Sequence, residues 1–215
     1  MPAVEPAPYV ASAAASPVPA GFTDLATIPG LHFRVAYATA DNFTGAPLPG
    51  YGWPGAWLAA PAAAALARAA TALAALDYAL VVFDGYRPAR ASAAMVAWAE
   101  RVGRTDLLGV YIARRSGHND GGSVDVGLAD LRTGALLDMG SPFDTFDATA
   151  HIPNATGDTK KRRAVLGEVM IAQGWEPYSM EWWHFRFEAW QGAARDVPYG
   201  ASEAPEETIR GEAAK

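Results

Sequence analysis

Residues 116–128 read SGHNDGGSVDVGL and combine a glycine-rich loop with an alternating stretch that contains Asp125. From residue 123 onward, apolar residues alternate with small or polar ones, which predicts a β-strand with one buried face. Asp125 lies on the face opposite to the apolar one, and His118 lies in the glycine-rich loop before the strand. Because glycine allows tight backbone turns, the loop can fold back and bring His118 and Asp125 to one ion.

A second alternating stretch, WWHFRFEAW at residues 182–190, predicts another strand. Its aromatic residues at positions 183, 185 and 187 share one face, and His184 lies on the other face with the residues at 182 and 186. His184 and Asp125 therefore each lie opposite an apolar stripe. We expect the two side chains to line one cleft.

The three side chains have the chemistry of a metal site. Two imidazoles and one carboxylate are typical of a catalytic zinc that keeps its fourth position open for water. Glu181, three residues before His184, is then the candidate general base. The spacing also fits a second interpretation, in which His118, Asp125 and His184 are hydrogen-bonded structural residues. The sequence contains no cysteine, so His, Asp or Glu must hold any metal.

The remaining pattern predicts a single α+β domain. We expect an antiparallel sheet with helices packed mainly on one side, because strands and helices are mixed without a regular βαβα alternation. A third helix, over about residues 159–173, should have Asp158 or Thr159 as its N-cap and end at Gly174. The other predicted elements are a buried Ala-rich helix at 59–76, a strand at 78–83, a Pro-containing loop at 84–88 and a helix at about 89–102.

Composition excludes several classes of protein. The chain has 215 residues, of which 51% are hydrophobic, so it can bury the core of one domain. With 17 Lys plus Arg against 23 Asp plus Glu, the net charge is −6, which disfavours nucleic acid as a partner. No run of apolar residues is long enough to predict a membrane span. We expect the domain at residues 21–200, between a flexible Pro- and Ala-rich arm at 1–20 and a polar tail at 201–215.

Three weaker features have ordinary interpretations. The string GYGWPG at residues 50–55 fits a dinucleotide-loop pattern, but no strand precedes it, so we predict a plain turn. The basic run KKRR at 160–163 is predicted to be a solvated helix face. The arm lacks the basic start of a secretory signal, so a cytoplasmic protein is expected, or an exported one if residue 1 is a trimmed mature end.

The polar residues together resemble a known family. The pattern Ser116-x-His118-x-x-Gly121-x-x-x-Asp125, followed by Glu181-x-Trp183-His184, is similar to the zinc peptidases that include the D-alanyl-D-alanine dipeptidases of the VanX type. The likeness extends over about residues 21–199 and implies the hedgehog/D,D-peptidase type of α+β fold. It is also carried by the segments at 37–39, 41–45, 51, 84–88, 139–144 and 178–184.

The resemblance implies a hydrolase that holds one zinc ion per chain. His118, Asp125 and His184 would be the zinc ligands, and Glu181 would be the base. The substrate would be D-alanyl-D-alanine or a close D,D-dipeptide. Two alternatives stay open at this point: a D,D-carboxypeptidase or L-alanyl-D-glutamate endopeptidase acting on longer wall peptides, and a zinc-containing binding domain without activity.

The resemblance also implies how such a dipeptide is held. Arg87 would stabilise the oxyanion, and Tyr37 and Asp144 would bind the free ammonium. Ser116 and Tyr51 would help to seat the carboxylate. Such an arrangement binds both ends of the substrate and so restricts it to dipeptides.

One residue departs from the family pattern. Asp120 stands between the two ligands of the loop, at a position where the dipeptidase pattern has a basic residue. A negative charge there is expected to weaken binding of the substrate carboxylate or to change side-chain preference.

Overall fold

The computed structural model describes residues 17–200, which fold around a five-stranded sheet. The strands follow the order β2-β4-β5-β7-β6 across the sheet, and β1 and β3 form a separate antiparallel pair. The elements are β1 (Phe22–Asp24), β2 (Leu31–Phe33), β3 (Trp57–Ala59), α1 (Ala60–Ala74), β4 (Tyr78–Asp84), α2 (Ala89–Arg101), β5 (Ser123–Asp130), α3 (Gly157–Ala172), β6 (Trp175–Pro177) and β7 (His184–Phe187).

The α+β class predicted from sequence is confirmed, with one correction to the sheet. β4, β5, β7 and β6 are antiparallel neighbours, but the edge strand β2 pairs with β4 in parallel. Only three residues of β2 take part, so its sequence is too short for an alternation that would reveal the strand.

Helices α1 and α3 cover one face of the sheet. α1 packs on β4 and α3 packs on β5 and β6, and the two helices contact each other. Seven residues of α1 are buried, five of them alanines, so small side chains let the helix approach the strands closely. Helix α2 starts directly after Pro88, as the sequence predicts, and its Met95 faces the polar cleft described below.

Two predicted boundaries are wrong. Helix α3 starts at Gly157 with Thr156 at the N-cap, and the N-cap side chain makes no capping hydrogen bond, whereas Asp158 already lies in the first turn. The strand predicted at 182–190 has only four residues in the structure. The residues before it form a turn, because the Glu181 amide donates to Tyr178 and the His184 amide donates to Glu181.

The predicted domain at 21–200 lies within the described residues, whereas most of the predicted arm and all of the predicted tail do not. Residues 17–20 of the predicted arm contact the domain: Val18 packs against the core, and the Ala20 carbonyl accepts a hydrogen bond from Arg195. The rest of the arm and the predicted tail lie outside the described residues. No helix within 17–200 has the length and apolar character that crossing a membrane requires.

The register of the central strands places three polar residues side by side. Asp84 at the end of β4 is paired with Asp125 on β5, and Asp125 is paired with His184 on β7. Neighbouring strands lie about 4.8 Å apart, so their side chains on one face are in reach of one another. The sheet thus carries a row of titratable groups across its centre.

Candidate metal centre and active site

His118, Asp125 and His184 form a compact group of donor atoms. Nε2 of His118 lies 3.2 Å from Nδ1 of His184 and 3.3 Å from Oδ1 of Asp125. Nδ1 of His184 lies 2.9 Å from the same carboxylate oxygen. The structure therefore brings together the three side chains that the sequence singled out.

The geometry of this triangle fits a tetrahedral metal ion. Ligand atoms about 2.0–2.1 Å from zinc at tetrahedral angles are separated by roughly 3.3 Å. The three separations in the structure are close to that value. The donor set of two imidazoles and one carboxylate is also one that zinc prefers, and it leaves a fourth position open.

The backbone fixes which nitrogen of His118 faces the group. Its Nδ1 lies 2.7 Å from the Gly85 carbonyl, which can only accept a hydrogen bond, so Nδ1 carries the proton. The lone pair is then on Nε2, toward Asp125 and His184. His118 is held in place by a short 3₁₀ turn that Ser116 caps, and Gly121 ends the turn with a φ of +76°.

The ionisation of the group also suits a metal ligand set. Burial alone would raise the pKa of Asp125, but the neighbouring His118 and His184 hold it well below its ordinary value. Burial lowers the pKa of His184, although Asp125 opposes this shift. A carboxylate and a neutral imidazole are the forms that bind a metal ion.

Arg87 is fixed beside this group by Asp84. The guanidinium Nε donates to Asp84 Oδ2 at 2.9 Å, and its Nη2 lies 3.6 Å from Oδ2 of Asp125. Asp84 is almost completely buried and also accepts a 2.6 Å hydrogen bond from Tyr51. Burial opposes the charge on Arg87, but Asp84 and other neighbours raise its pKa well above the ordinary value, so it stays cationic. The sequence alone indicates no role for Asp84, which is the first residue of the predicted loop 84–88 and the last residue of β4 in the structure.

A cleft of about 280 Å³ opens over these residues. Glu181 lines it together with the three metal-group residues, and its side chain is only 8% exposed. Burial raises the pKa of Glu181 well above its ordinary value, and the negative charges of Asp125 and Asp144 raise it further. A carboxylate whose proton affinity is increased in this way is suited to accept a proton near neutral pH.

One end of the cleft is closed by Asp144 and Tyr37. The Tyr37 hydroxyl donates to Asp144 Oδ1 at 2.9 Å. The other carboxylate oxygen, Oδ2, is buried without a hydrogen-bond partner among the described residues. Burial and the charge of Asp125 raise the pKa of Asp144 to about 8. An unpartnered buried carboxylate oxygen at a cleft is a place for a cationic group of a ligand.

Of the two residues expected to bind the substrate carboxylate, Ser116 lines the cleft and Tyr51 does not. Ser116 lines the cleft, and its hydroxyl oxygen accepts from the His118 amide, which leaves its proton free to donate. Tyr51 is buried and is not among the cleft-lining residues, and its hydroxyl donates to Asp84. The role that the resemblance implies for Tyr51 stays a prediction, whereas its observed contact orients Asp84.

Asp120 points away from the cleft. Its carboxylate forms a two-pronged ion pair with Arg186, with distances of 2.7 and 2.9 Å. It also accepts from the amide of Gly122, and its carbonyl accepts from the Trp190 indole. Asp120 is not among the residues that line the cleft, so the expected repulsion of a bound carboxylate has no basis in this geometry. The residue instead ties the metal loop to β7.

We therefore expect Asp120→Ala to weaken the fold around the metal loop without changing substrate preference. Loss of one partner leaves Arg186 partly buried and unpaired, at a cost of about 1–3 kcal/mol in the free energy of unfolding. Urea unfolding of the variant, compared with Asp106→Ala at an exposed ion pair, measures this cost. An unfolding free energy equal to that of the Asp106 variant would contradict the assignment.

Two of the weaker sequence features have different outcomes. Residues 50–55 form an irregular turn that leads into the short strand β3 and not into a helix, so the prediction of a plain turn is confirmed. The prediction of a solvated face at 160–163 is wrong for Arg163, which is only 5% exposed. Lys160 and Lys161 are exposed, as predicted.

The fold and site together define a class of protein. A metal group of two imidazoles and one carboxylate shares a cleft with a buried carboxylate and a fixed guanidinium. These are the parts of a metal-dependent hydrolase, because each acts on water or on developing negative charge.

Comparison with known proteins gives the family. Residues 19–199 match the model of peptidase family M15, D-ala-D-ala dipeptidase. The D-alanyl-D-alanine dipeptidase of Enterococcus faecium is 34% identical over 83% of this chain and 94% of its own length. The dipeptidases of Enterococcus faecalis and Escherichia coli are 35% and 33% identical over 73% and 75% of this chain and cover 86% and 82% of their own lengths. The chain belongs to this family of dipeptidases.

Among solved structures, a fold likeness is found to the D,D-pentapeptidase VanY from a VanB-type resistance cassette in complex with Zn(II). It has a TM-score of 0.40 and 19% identity, and it covers 62% of this chain and 74% of the other.

Proposed function

We propose that this protein is a zinc-dependent dipeptidase that hydrolyses D-alanyl-D-alanine. The observation that carries the proposal is the single cleft that contains the metal group, Glu181, Arg87 and Asp144. The relatives named above are D-alanyl-D-alanine dipeptidases, which supports the choice of substrate. Family membership supports a peptidase over a zinc-containing binding domain, as does a base beside an open metal position.

In the proposed mechanism, His118, Asp125 and His184 would hold the zinc ion. When bound, it supplies a Lewis acid that polarises the scissile carbonyl and lowers the pKa of the attacking water. Glu181 takes a proton from the water at its carboxylate oxygen and then gives this proton to the nitrogen of the leaving amine.

Arg87 would stabilise the negative charge that develops on the carbonyl oxygen of the substrate. Its guanidinium is held by Asp84 before substrate arrives, so little reorganisation is needed when negative charge appears. The cation also lies 5.2 Å from the centre of the Tyr37 ring, which closes that side of the cleft. Asp84 and Tyr51 therefore contribute to catalysis by orienting Arg87.

We infer that the substrate is held at both ends. Asp144 and Tyr37 would bind the free ammonium, because the unpartnered Oδ2 of Asp144 is available to accept its hydrogen bonds. Ser116 would donate to the carboxylate at the other end of the dipeptide. A buried carboxylate at the amine end disfavours peptides that are extended there, because an amide cannot replace the positive charge.

Release of D-alanine from D-alanyl-D-alanine tests this function. We expect zinc-loaded protein to release it, chelated protein to release none, and L-alanyl-L-alanine to be a poor substrate. Absence of release from protein that contains one zinc per chain would contradict the proposal. Hydrolysis of tripeptides or pentapeptides at the dipeptide rate would instead favour an enzyme of longer wall peptides.

A further inference from the structure

Arg163 is a buried arginine outside the cleft, on the second turn of α3. Its guanidinium donates to three backbone carbonyls: Nε to Met139 at 2.6 Å, Nη1 to His151 at 2.8 Å and Nη2 to Thr149 at 2.8 Å. None of these three hydrogen-bond partners is a carboxylate. All three donating nitrogens are thus used on one loop.

These carbonyls belong to the two ends of residues 138–151, which we call the amine-end loop because it carries Asp144 at its middle. Met139 lies at the start of the loop, and Thr149 and His151 lie at its end. Arg163 therefore joins the two ends of the loop to one rigid helix. Gly140, with a φ of +94°, allows this approach, because a Cβ atom at that position would lie 2.9 Å from Nη2 of Arg163.

Asp144, at the middle of the amine-end loop, has a backbone conformation that the surrounding structure must stabilise. Asp144 has a φ of +61°, in the left-handed region that a residue with a side chain rarely adopts. Such a conformation persists only when the surrounding structure holds it. Its side chain accepts a hydrogen bond from Tyr37, and the flanking Phe143 and Phe146 pack against aromatic rings. The fixed loop ends add a further restraint on the backbone.

The same arginine also holds the wall behind the loop. Its guanidinium carbon lies 5.9 Å from the centre of the Trp182 ring, whose indole donates to Ser141 on the loop. The Trp182 amide donates to Ala150, between the two carbonyls that Arg163 holds at that end. Glu181 is fixed separately by the turn in which its amide donates to Tyr178.

We propose that Arg163 is a positioning residue for substrate selection: by clamping both ends of the amine-end loop, it sets the place of the Asp144 carboxylate and so the affinity for the substrate ammonium. The inference rests on the proposed function, because it takes Asp144 as the ammonium site. Arg163 touches neither the substrate nor the metal group in this arrangement, and its effect reaches the reaction through Asp144.

The test is a double-mutant cycle on zinc-loaded protein, with kcat and KM for D-alanyl-D-alanine measured for each variant. A misplaced binding group costs affinity, so we expect Arg163→Met to raise KM about tenfold or more, with kcat changed by less than about threefold. Combined with Asp144→Asn, Arg163→Met should add no further rise in KM, because the two changes remove the same interaction. Lys160→Met, an exposed cation on the same helix, is the matched control and should leave both constants unchanged.

The outcomes separate this inference from the proposed function. If Asp144→Asn raises KM and Arg163→Met does not, or if their effects on KM simply add, the positioning role is wrong. A fall in kcat as large as the fall in kcat/KM in Arg163→Met would also overturn it, because that pattern reports a general loss of the site. If Asp144→Asn itself leaves KM unchanged, the ammonium site of the proposed function fails, and this inference fails with it.

Should Arg163→Met fail to fold, Arg163→Lys decides the question. Lysine keeps the charge but lacks the planar fork that meets three carbonyls at once. We expect a KM between those of the wild type and Asp144→Asn, with one zinc per chain retained. A wild-type KM in a folded Arg163→Lys protein would overturn the proposal.

Discussion

Glu181→Gln is expected to lower kcat for D-alanyl-D-alanine by a factor of about 10²–10⁴, the usual range for loss of a proton-transfer group. The amide keeps the size and the buried position of the carboxylate, but it cannot accept a proton from water. Because burial and the nearby charge of Asp125 raise the proton affinity of Glu181, the native side chain is suited to this transfer. The cleft is lined by two other carboxylates, and the proposed mechanism gives each another role: Asp125 belongs to the metal group and Asp144 is the proposed ammonium site.

Metal analysis separates loss of the base from loss of the metal. In the proposed site the ligand atoms come from His118, Asp125 and His184 and not from Glu181, so Glu181→Gln should keep one zinc per chain. Glu188→Gln, an exposed carboxylate just after β7, serves as the control and should retain wild-type kcat. Near wild-type turnover in Glu181→Gln would require a different base and would remove the mechanism proposed here.

The central part of the site could be predicted from sequence because it lies on regular strands. The alternation at residues 123–128 predicted one face of β5 for Asp125, and that at 182–190 predicted the polar face of the strand that contains β7 for His184. Strand pairing brings these two side chains together, because Asp125 and His184 are direct partners in the register. His118 needed only the glycine-rich turn to fold back onto them.

The supporting residues could not be predicted, because their partners are far away in the chain. Arg163 lies in a run of four basic residues, and nothing local indicates that one of them would be buried under the amine-end loop. The role of Asp120 could not be predicted for the same reason, because its partner Arg186 is 66 positions away. The charge of Asp120 suggested an effect on substrate binding, but the fold directs this charge to Arg186. Three-residue strands such as β1 and β2 are too short to carry a periodic signal.

Asp144, the proposed ammonium site, is expected to lower the free energy of unfolding of the free protein. Asp144 is buried, and its pKa is raised to about 8 by burial and by the charge of Asp125. Between about pH 4 and pH 8 the carboxyl group therefore holds a proton in the folded protein that it has lost in the unfolded chain. The folded state binds more protons in this window, so this group makes stability fall as the pH rises through it.

Asp144→Asn should therefore stabilise the free protein while it damages the enzyme. The asparagine carbonyl can still accept from Tyr37, and the penalty for ionising a buried carboxyl is gone, so we expect a gain of about 1–3 kcal/mol in the free energy of unfolding at pH 7. The gain should shrink toward pH 4, which urea unfolding at several pH values would measure. Asp158→Asn, at an exposed carboxylate whose pKa is lowered by Lys161, should show no such gain.

The same variant should bind the dipeptide poorly, because it has no negative charge for the ammonium. We expect KM to rise by a factor of about 10–100, as for loss of a hydrogen bond between charged groups. In the wild type, the ammonium binds the ionised carboxylate, so KM should fall as the pH rises through the pKa of Asp144, and this dependence should be absent in Asp144→Asn. A variant that gained stability but kept both KM and its pH dependence would place the ammonium elsewhere in the cleft. If KM rose without any gain in stability, Asp144 would already be ionised in the free protein, held by its surroundings at the cleft.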